Sequence, residues 1–190
     1  MALTMIDPNT ALIVVDLQKG IVESPPTETV RGVVETTCNL LIRTFRERAL
    51  PVVLVNVAGR APGRTETASR ISGDFPEDFT DFIPELDPQP GDIIVTKRTW
   101  GAFASTDLEA RLKARGVTQV VITGVATGTG VEATARQAYE AGFNVTLAVD
   151  AMTDPRPDAH DYSVRHVFPR LGETGMSADI ITLLPSRGAA

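Results

Sequence analysis

Five short runs of nearly uninterrupted apolar residues constrain this chain more than any other feature: 11–15 (ALIVV), 52–57 (VVLVNV), 93–96 (IIVT), 120–123 (VVIT) and 145–149 (VTLAV). A strand with one wet face alternates polar and apolar residues. A strand without that alternation has to be covered on both faces, which is the condition of a parallel sheet. Each run stops at a polar or turn residue: Asp16, Ala58-Gly59, Lys97, Gly124 and Asp150. Between the runs the spacing becomes helical. Residues 28–49 bring Val30, Val33, Val34, Leu40, Leu41 and Phe45 near helical spacing, and 106–115 pair Leu108 with Leu112 before Gly116. The alanine-rich stretch 130–141 stops at Gly142, a residue suited to the left-handed turn that closes a helix. Segments 158–171 and 178–184 are the last two helix candidates. Repeated strand–helix–strand order with right-handed crossovers predicts an α/β chain, a three-layer α/β/α sandwich.

The 190 residues are expected to form one domain, 1–190, with room for a sizeable core. No run of about 18 apolar residues is present, so a membrane span is not expected. The N-terminus MALTMIDPNT does not read as a secretory signal, and cytoplasm is the expected compartment. Acidic residues outnumber basic ones, 24 to 18, for a net charge of −6. That balance disfavours nucleic acid and anionic membranes as partners. The single cysteine, Cys38, rules out an intrachain disulfide and a Cys-based zinc cluster and reads as a small buried hydrophobe. One connection stands apart: 58–91 carries five of the thirteen prolines. Connections this long are usually functional or mobile. A short helix near 78–83 is expected within it, in an excursion that covers the site or meets a neighbouring subunit.

Ligands of open parallel sheets bind at the carboxyl ends of strands. Asp16, Lys97, the 124–130 turn and Asp150 all fall there, so Asp16 and Lys97 can be neighbours although 81 residues separate them. A carboxylate at the end of a core strand is costly to desolvate unless paired, and Lys97 is its natural partner. Such a pair is either a structural ion pair or a reactive one; pattern alone leaves both open. In 123–138 (TGVATGTGVEATARQA) a strand enters a Gly/Thr turn and then a helix, whose first N–H groups favour an anionic ligand. The segment has neither Gly-Lys-Ser/Thr nor GxGxxG, so it is no phosphate loop. His160 and His166, six residues apart, do not share a helix face, and no metal set is expected. Asp150 is expected to cap or brace a strand end, and Glu132 to pair with Arg136.

The segments VVDLQKG (14–20), VTKRTWGAF (95–103) and ITGVATGTGVEATARQAYEAGF (122–143) resemble the isochorismatase-like, or cysteine hydrolase, superfamily. The likeness runs from about residue 10 to 184, with the three motifs in order. It implies a six-stranded, mostly parallel sheet of order 3-2-1-4-5-6. It implies Asp16 and Lys97 as catalytic residues, Gln18 as the polar residue of the first motif, and a cis peptide at Val125–Ala126. The family's nicotinamidase branch holds a metal through an aspartate and two histidines after the second strand. Here that place reads Asn56-Val57-Ala58, so neither metal nor cofactor is expected. Relatives commonly form dimers or tetramers, which makes a homodimer or homotetramer the expected assembly.

One departure decides the chemistry. Most of the family carries a nucleophilic cysteine six residues after Gly124, and this chain has Gly130 there. Glycine has no side chain to attack a carbonyl, so the covalent amidase route through that position is closed, and Thr127 and Thr129, possible hydroxyl nucleophiles, do not match it. True isochorismatases also have glycine at this place and cleave a vinyl ether by protonation. They carry an aromatic-histidine pair where this chain has Ala126-Thr127, so isochorismate itself is not specified. The expectation is a hydrolase acting on a small anionic or cyclic metabolite, with Asp16 as proton donor or general base and Lys97 as electrostatic partner. Backbone N–H groups around Ala126, Thr127 and Gly130 would hold a substrate oxygen. Trp100 and Phe103 either wall the pocket or fill the core, and Arg60 and Arg64 either clasp a carboxylate or remain solvated. The alternative is a non-catalytic relative that binds a ligand or partner.

Overall fold

The computed structural model describes residues 3–23, 25–66 and 75–185. Six strands lie in the order β3-β2-β1-β4-β5-β6, every neighbouring pair parallel. They are β1 Thr10–Val15, β2 Val52–Val57, β3 Ile93–Lys97, β4 Gln119–Val125, β5 Asn144–Thr153 and β6 Glu173–Gly175. The helices are α1 Lys19–Val22, α2 Thr27–Glu35, α3 Arg43–Glu47, α4 Leu108–Lys113, α5 Glu132–Glu140, α6 Pro157–Tyr162 and α7 Ser177–Leu183. A π-helical stretch, Thr36–Ile42, joins α2 to α3, so the long helix expected over 28–49 is one interrupted rod. Among the described residues no helix is long and apolar enough to cross a membrane.

All six residues of β1 and all seven of β4 are buried, as their lack of alternation requires. Ile13, Val15 and Ile122 face a core completed by Leu108, Leu112, Ala135 and Phe168. Leu12, Val14 and Val121 face the opposite core, with Val33, Leu41, Phe45 and Ile180. Only β3, an edge strand, alternates, leaving Ile94 and Thr96 exposed.

Two expectations need correction. Residues 78–83 form no helix: 77–80 make a turn, Phe82 bridges Gln18, and Pro84–Leu86 form a 3-10 turn. Pro84 ends the segment, since a residue before proline is pushed out of the helical region, and Ile83 is extended. This returning arm lies against the end of β1, with Lys19 N–H donating to Asp81 O, Gly20 N–H to Phe79 O and Ile83 N–H to Leu17 O. The central part of the excursion, 67–74, lies outside the described residues. Second, β5 runs past Asp150 to Thr153, with a register shift opposite Ile122–Gly124. Asp150 is therefore inside a strand, where its Oδ1 accepts from Ser177 N–H and Oγ at 2.8 Å each and caps α7. The six-stranded sheet and its order are those the resemblance implies; the sixth strand, β6, is three residues, ETG, too short and polar to register as an apolar run.

Candidate active site

Strand order puts β2 between β1 and β3, so Lys97, last residue of β3, must reach across the end of β2 to meet Asp16. It does: Lys97 Nζ lies 2.8 Å from Asp16 Oδ2 and 3.3 Å from Thr99 O. The two residues are 1% and 5% exposed. Asp16 leaves β1 in the left-handed region, φ 54°, while its N–H still donates to Val55 O. That backbone is uncommon for a residue with a side chain and turns the carboxyl off the sheet edge. Asp16 Oδ1 is buried and has no hydrogen-bond partner among the described residues. Burial pushes the Asp16 carboxyl up from 3.8 to about 6, against the opposing pull of Lys97.

β4 supplies the second half of the site. Gly124 has φ 119°, and a Cβ there would sit 2.1 Å from Val15 O, so only glycine lets β4 pass so close to β1. The Val125–Ala126 peptide is cis, as the resemblance implied. A π-helical turn, Thr127–Val131, comes next and leads into α5. The turn is pinned from outside: Gly128 N–H donates to Asp154 Oδ2 at 2.8 Å, and Thr127 Oγ1 lies 2.9 Å from His160 Nδ1. Within it, Thr129 and Val131 N–H both donate to Ala126 O. A Cβ at Gly130 would sit 3.1 Å from Asp16 Oδ2.

Asp16, Lys97, Val125, Ala126, Thr129 and Gly130 border a cavity of about 260 Å³, walled further by Ile21, Pro25, Val57, Thr99, Trp100 and Pro155. The other sequence candidates divide. Trp100 stands at the rim and is 65% exposed. Phe103 is not on the wall: it is buried in the core beside Phe143, with ring centroids 5.9 Å apart. Gln137 of α5 holds that loop through Phe103 and Ala104 N–H, which turns the Phe103 ring inward. Gln18 also lies off the wall. Its Nε2 donates to Val57 O and Phe79 O and its Oε1 accepts from Val57 N–H, so it ties β2 and the returning arm to the end of β1. Thr127 is buried behind the turn, and Arg60 and Arg64 are exposed and off the wall. Glu132 and Arg136 pair at 2.9 Å as expected.

Sequence reasoning missed Asp154, whose carboxylate also accepts from Arg156 N–H at 2.9 Å. Its signal was the Asp-Pro dipeptide at 154–155, a turn former able to bond its own backbone two residues on. The sequence pattern likewise gives no sign that His160 is a partner of the turn. Cys38 lies on the α2–α3 rod, packed against the core of the opposite sheet face, and burial pushes its thiol up to about 11. No group of three potential metal ligands occurs among the described residues. A wider depression of about 810 Å³ opens at the amino ends of the strands, where Arg46 and Asp92 pair with each other.

Residues 10–179 match the isochorismatase domain family. The chain is 38% identical over 178 residues to the isochorismatase family protein YwoC of Bacillus subtilis, covering 90% of this chain and 92% of that protein. A solved isochorismatase family protein from Burkholderia thailandensis superposes with a TM-score of 0.84 at 37% identity, over 95% of this chain and 97% of that one. A shorter likeness, 39% identity over 71 residues, links 37% of this chain to 28% of the ureidoacrylate amidohydrolase RutB of Variovorax paradoxus. With its fold, its sheet order and a family match over most of its length in agreement, this chain belongs to the isochorismatase family and is a hydrolase.

Proposed function

We propose that this hydrolase works without a covalent enzyme intermediate, cleaving a vinyl ether of a small anionic metabolite by means of Asp16 and Lys97. The observation that carries the reading is the buried pair itself: a carboxyl raised to about 6 beside a lysine, facing a turn with Gly130 where a nucleophile would otherwise stand. At pH 7 roughly a tenth of Asp16 is protonated, enough to supply a general acid near neutrality. In the reaction the Asp16 proton passes to the enol carbon of the substrate. Water adds to the resulting oxocarbenium ion, and the hemiketal collapses to a ketone and an alcohol. The proton lost by water returns to the Asp16 carboxylate. Lys97 holds negative charge on the substrate, and the 126–130 turn, braced through Gly128 by Asp154, offers a substrate oxygen the N–H groups of Ala126, Thr127 and Gly130, since Thr129 N–H is bonded to Ala126 O.

Cys38 supports the same reading by its position. It is the chain's one cysteine, and it sits on the helical layer with its thiol protonated at neutral pH. The likeness to RutB covers too little of either protein to carry amide chemistry across. The test is incubation with 2-ethoxyacrylate, a vinyl ether bearing one carboxylate, with pyruvate monitored through lactate dehydrogenase. Pyruvate release is expected, unaffected by iodoacetamide and reduced at least a hundredfold in Asp16→Ala. Absence of turnover on vinyl ethers, amides and lactams, with saturable ligand binding retained, would identify a binding protein instead.

A further inference from the structure

Lys97 has a donor to spare. An ammonium carries three N–H groups. Among the described residues one goes to Asp16 Oδ2 at 2.8 Å and one to Thr99 O at 3.3 Å. Across the pair, Asp16 Oδ1 is buried and accepts nothing among the described residues. Both residues border the cavity. A ligand carboxylate brought to Lys97 would add a second negative charge beside Asp16, and the pair would no longer balance. An unbalanced charge among groups this deeply buried is costly, and Asp16 can cancel it by taking a proton. A proton on Oδ1 would also convert Asp16 from an acceptor into a donor toward the ligand oxygen.

A second carboxylate would find no such answer. Among the described residues on the cavity wall, Lys97 is the only cation and Asp16 the only other ionisable group. Ile21, Pro25, Val57, Trp100 and Pro155 offer an apolar body of ligand its contacts. Among the described residues no other charged group faces Asp16. The 126–130 turn carries no ionisable side chain, Lys19 is turned to Asp78 and Asp81, and Asp154 is taken up by Gly128 N–H.

We propose that the pocket takes a compact monoanion with a single carboxylate, held by Lys97, and that its binding carries one proton from solvent onto Asp16. This rests on Asp16 and Lys97 being the working pair. Burial has already brought Asp16 most of the way, so sharing Lys97 with a ligand suffices to move it past neutrality.

The test is calorimetric titration of the intact chain between pH 5 and pH 8, in pairs of buffers that differ in ionisation heat. The probes are benzoate, benzamide and phthalate, one ring with one, no and two carboxylates. Benzoate is expected to bind more tightly than the other two. Proton uptake should approach one per benzoate at pH 8 and vanish near pH 5, with affinity falling roughly tenfold per pH unit above about pH 7. Asp16→Asn should bind benzoate without that pH dependence, and Lys97→Met should lose it. The wild-type buffer comparison stands without either variant. Benzoate binding without proton uptake, no benzoate binding at any pH, or tighter binding of benzamide or phthalate would overturn the proposal. No turnover is needed for this readout. Loss of hydrolysis with proton-linked binding intact would remove the catalytic reading alone, and turnover without it would remove this one alone.

Discussion

Asp16 is the buried carboxyl of the candidate site, and its burial can be measured twice. A carboxyl at about 6 in the folded chain and 3.8 in the unfolded one binds more protons when folded between those values. Its contribution to stability is therefore greatest at low pH and is lost as pH rises from about 3.8 to about 6, by about 3 kcal/mol in all. Urea unfolding between pH 4 and pH 7 should show wild type losing about that much more than Asp16→Asn. The second measurement concerns the reaction. With Asp16 as the acid, kcat/KM should fall roughly tenfold per pH unit above about 6. A profile that rises to a plateau instead would make Asp16 the base. The identities of Asp16, Lys97 and Gly130 were legible in the sequence, because they end strands or interrupt a motif. The raised carboxyl was not, since it depends on how much protein surrounds it.

At the scale of elements, the site is one turn held between β4 and the segment that leads from β5 into α6. Asp154 reaches Gly128 only because β5 extends through a register shift to Thr153, a length the run 145–149 did not foretell. Asp154→Ala would leave the N–H groups of Gly128 and Arg156 without their carboxylate, at a cost of about 1–3 kcal/mol. Turnover should fall with it. Asp154→Asn, which keeps an acceptor oxygen, should recover much of both, as read by thermal unfolding and by kcat. Gln18 and Phe103 make the converse case. Their motif positions were readable, but each side chain found a better partner away from the cavity: backbone groups of Val57 and Phe79 for Gln18, the Phe143 ring for Phe103.

The whole molecule is a sheet with a core on each side, and adjacent residues of β1 serve different cores. Leu12 packs under the α2–α3 rod and α7, while Ile13 packs under α4 and α5. Leu12→Ala and Ile13→Ala should each cost about 2–5 kcal/mol in chemical denaturation. A strand with one wet face would lose stability at only one of two neighbouring positions. Equal sensitivity at both is the signature of the sheet read from uninterrupted apolar runs.

Local pattern determined the layers and the carboxyl-edge location of Asp16 and Lys97, and the resemblance gave the glycine at 130 its meaning. These come from burial periodicity, from where a strand stops and from the identity of one residue, all properties of neighbouring positions. Only the assembled fold decided that Lys97 spans β2 to reach Asp16, that Gln18 and Phe103 face away, and that Asp154 braces the turn. Desolvation and partner choice are set by groups far apart along the chain, and those meet only once the strands are ordered side by side.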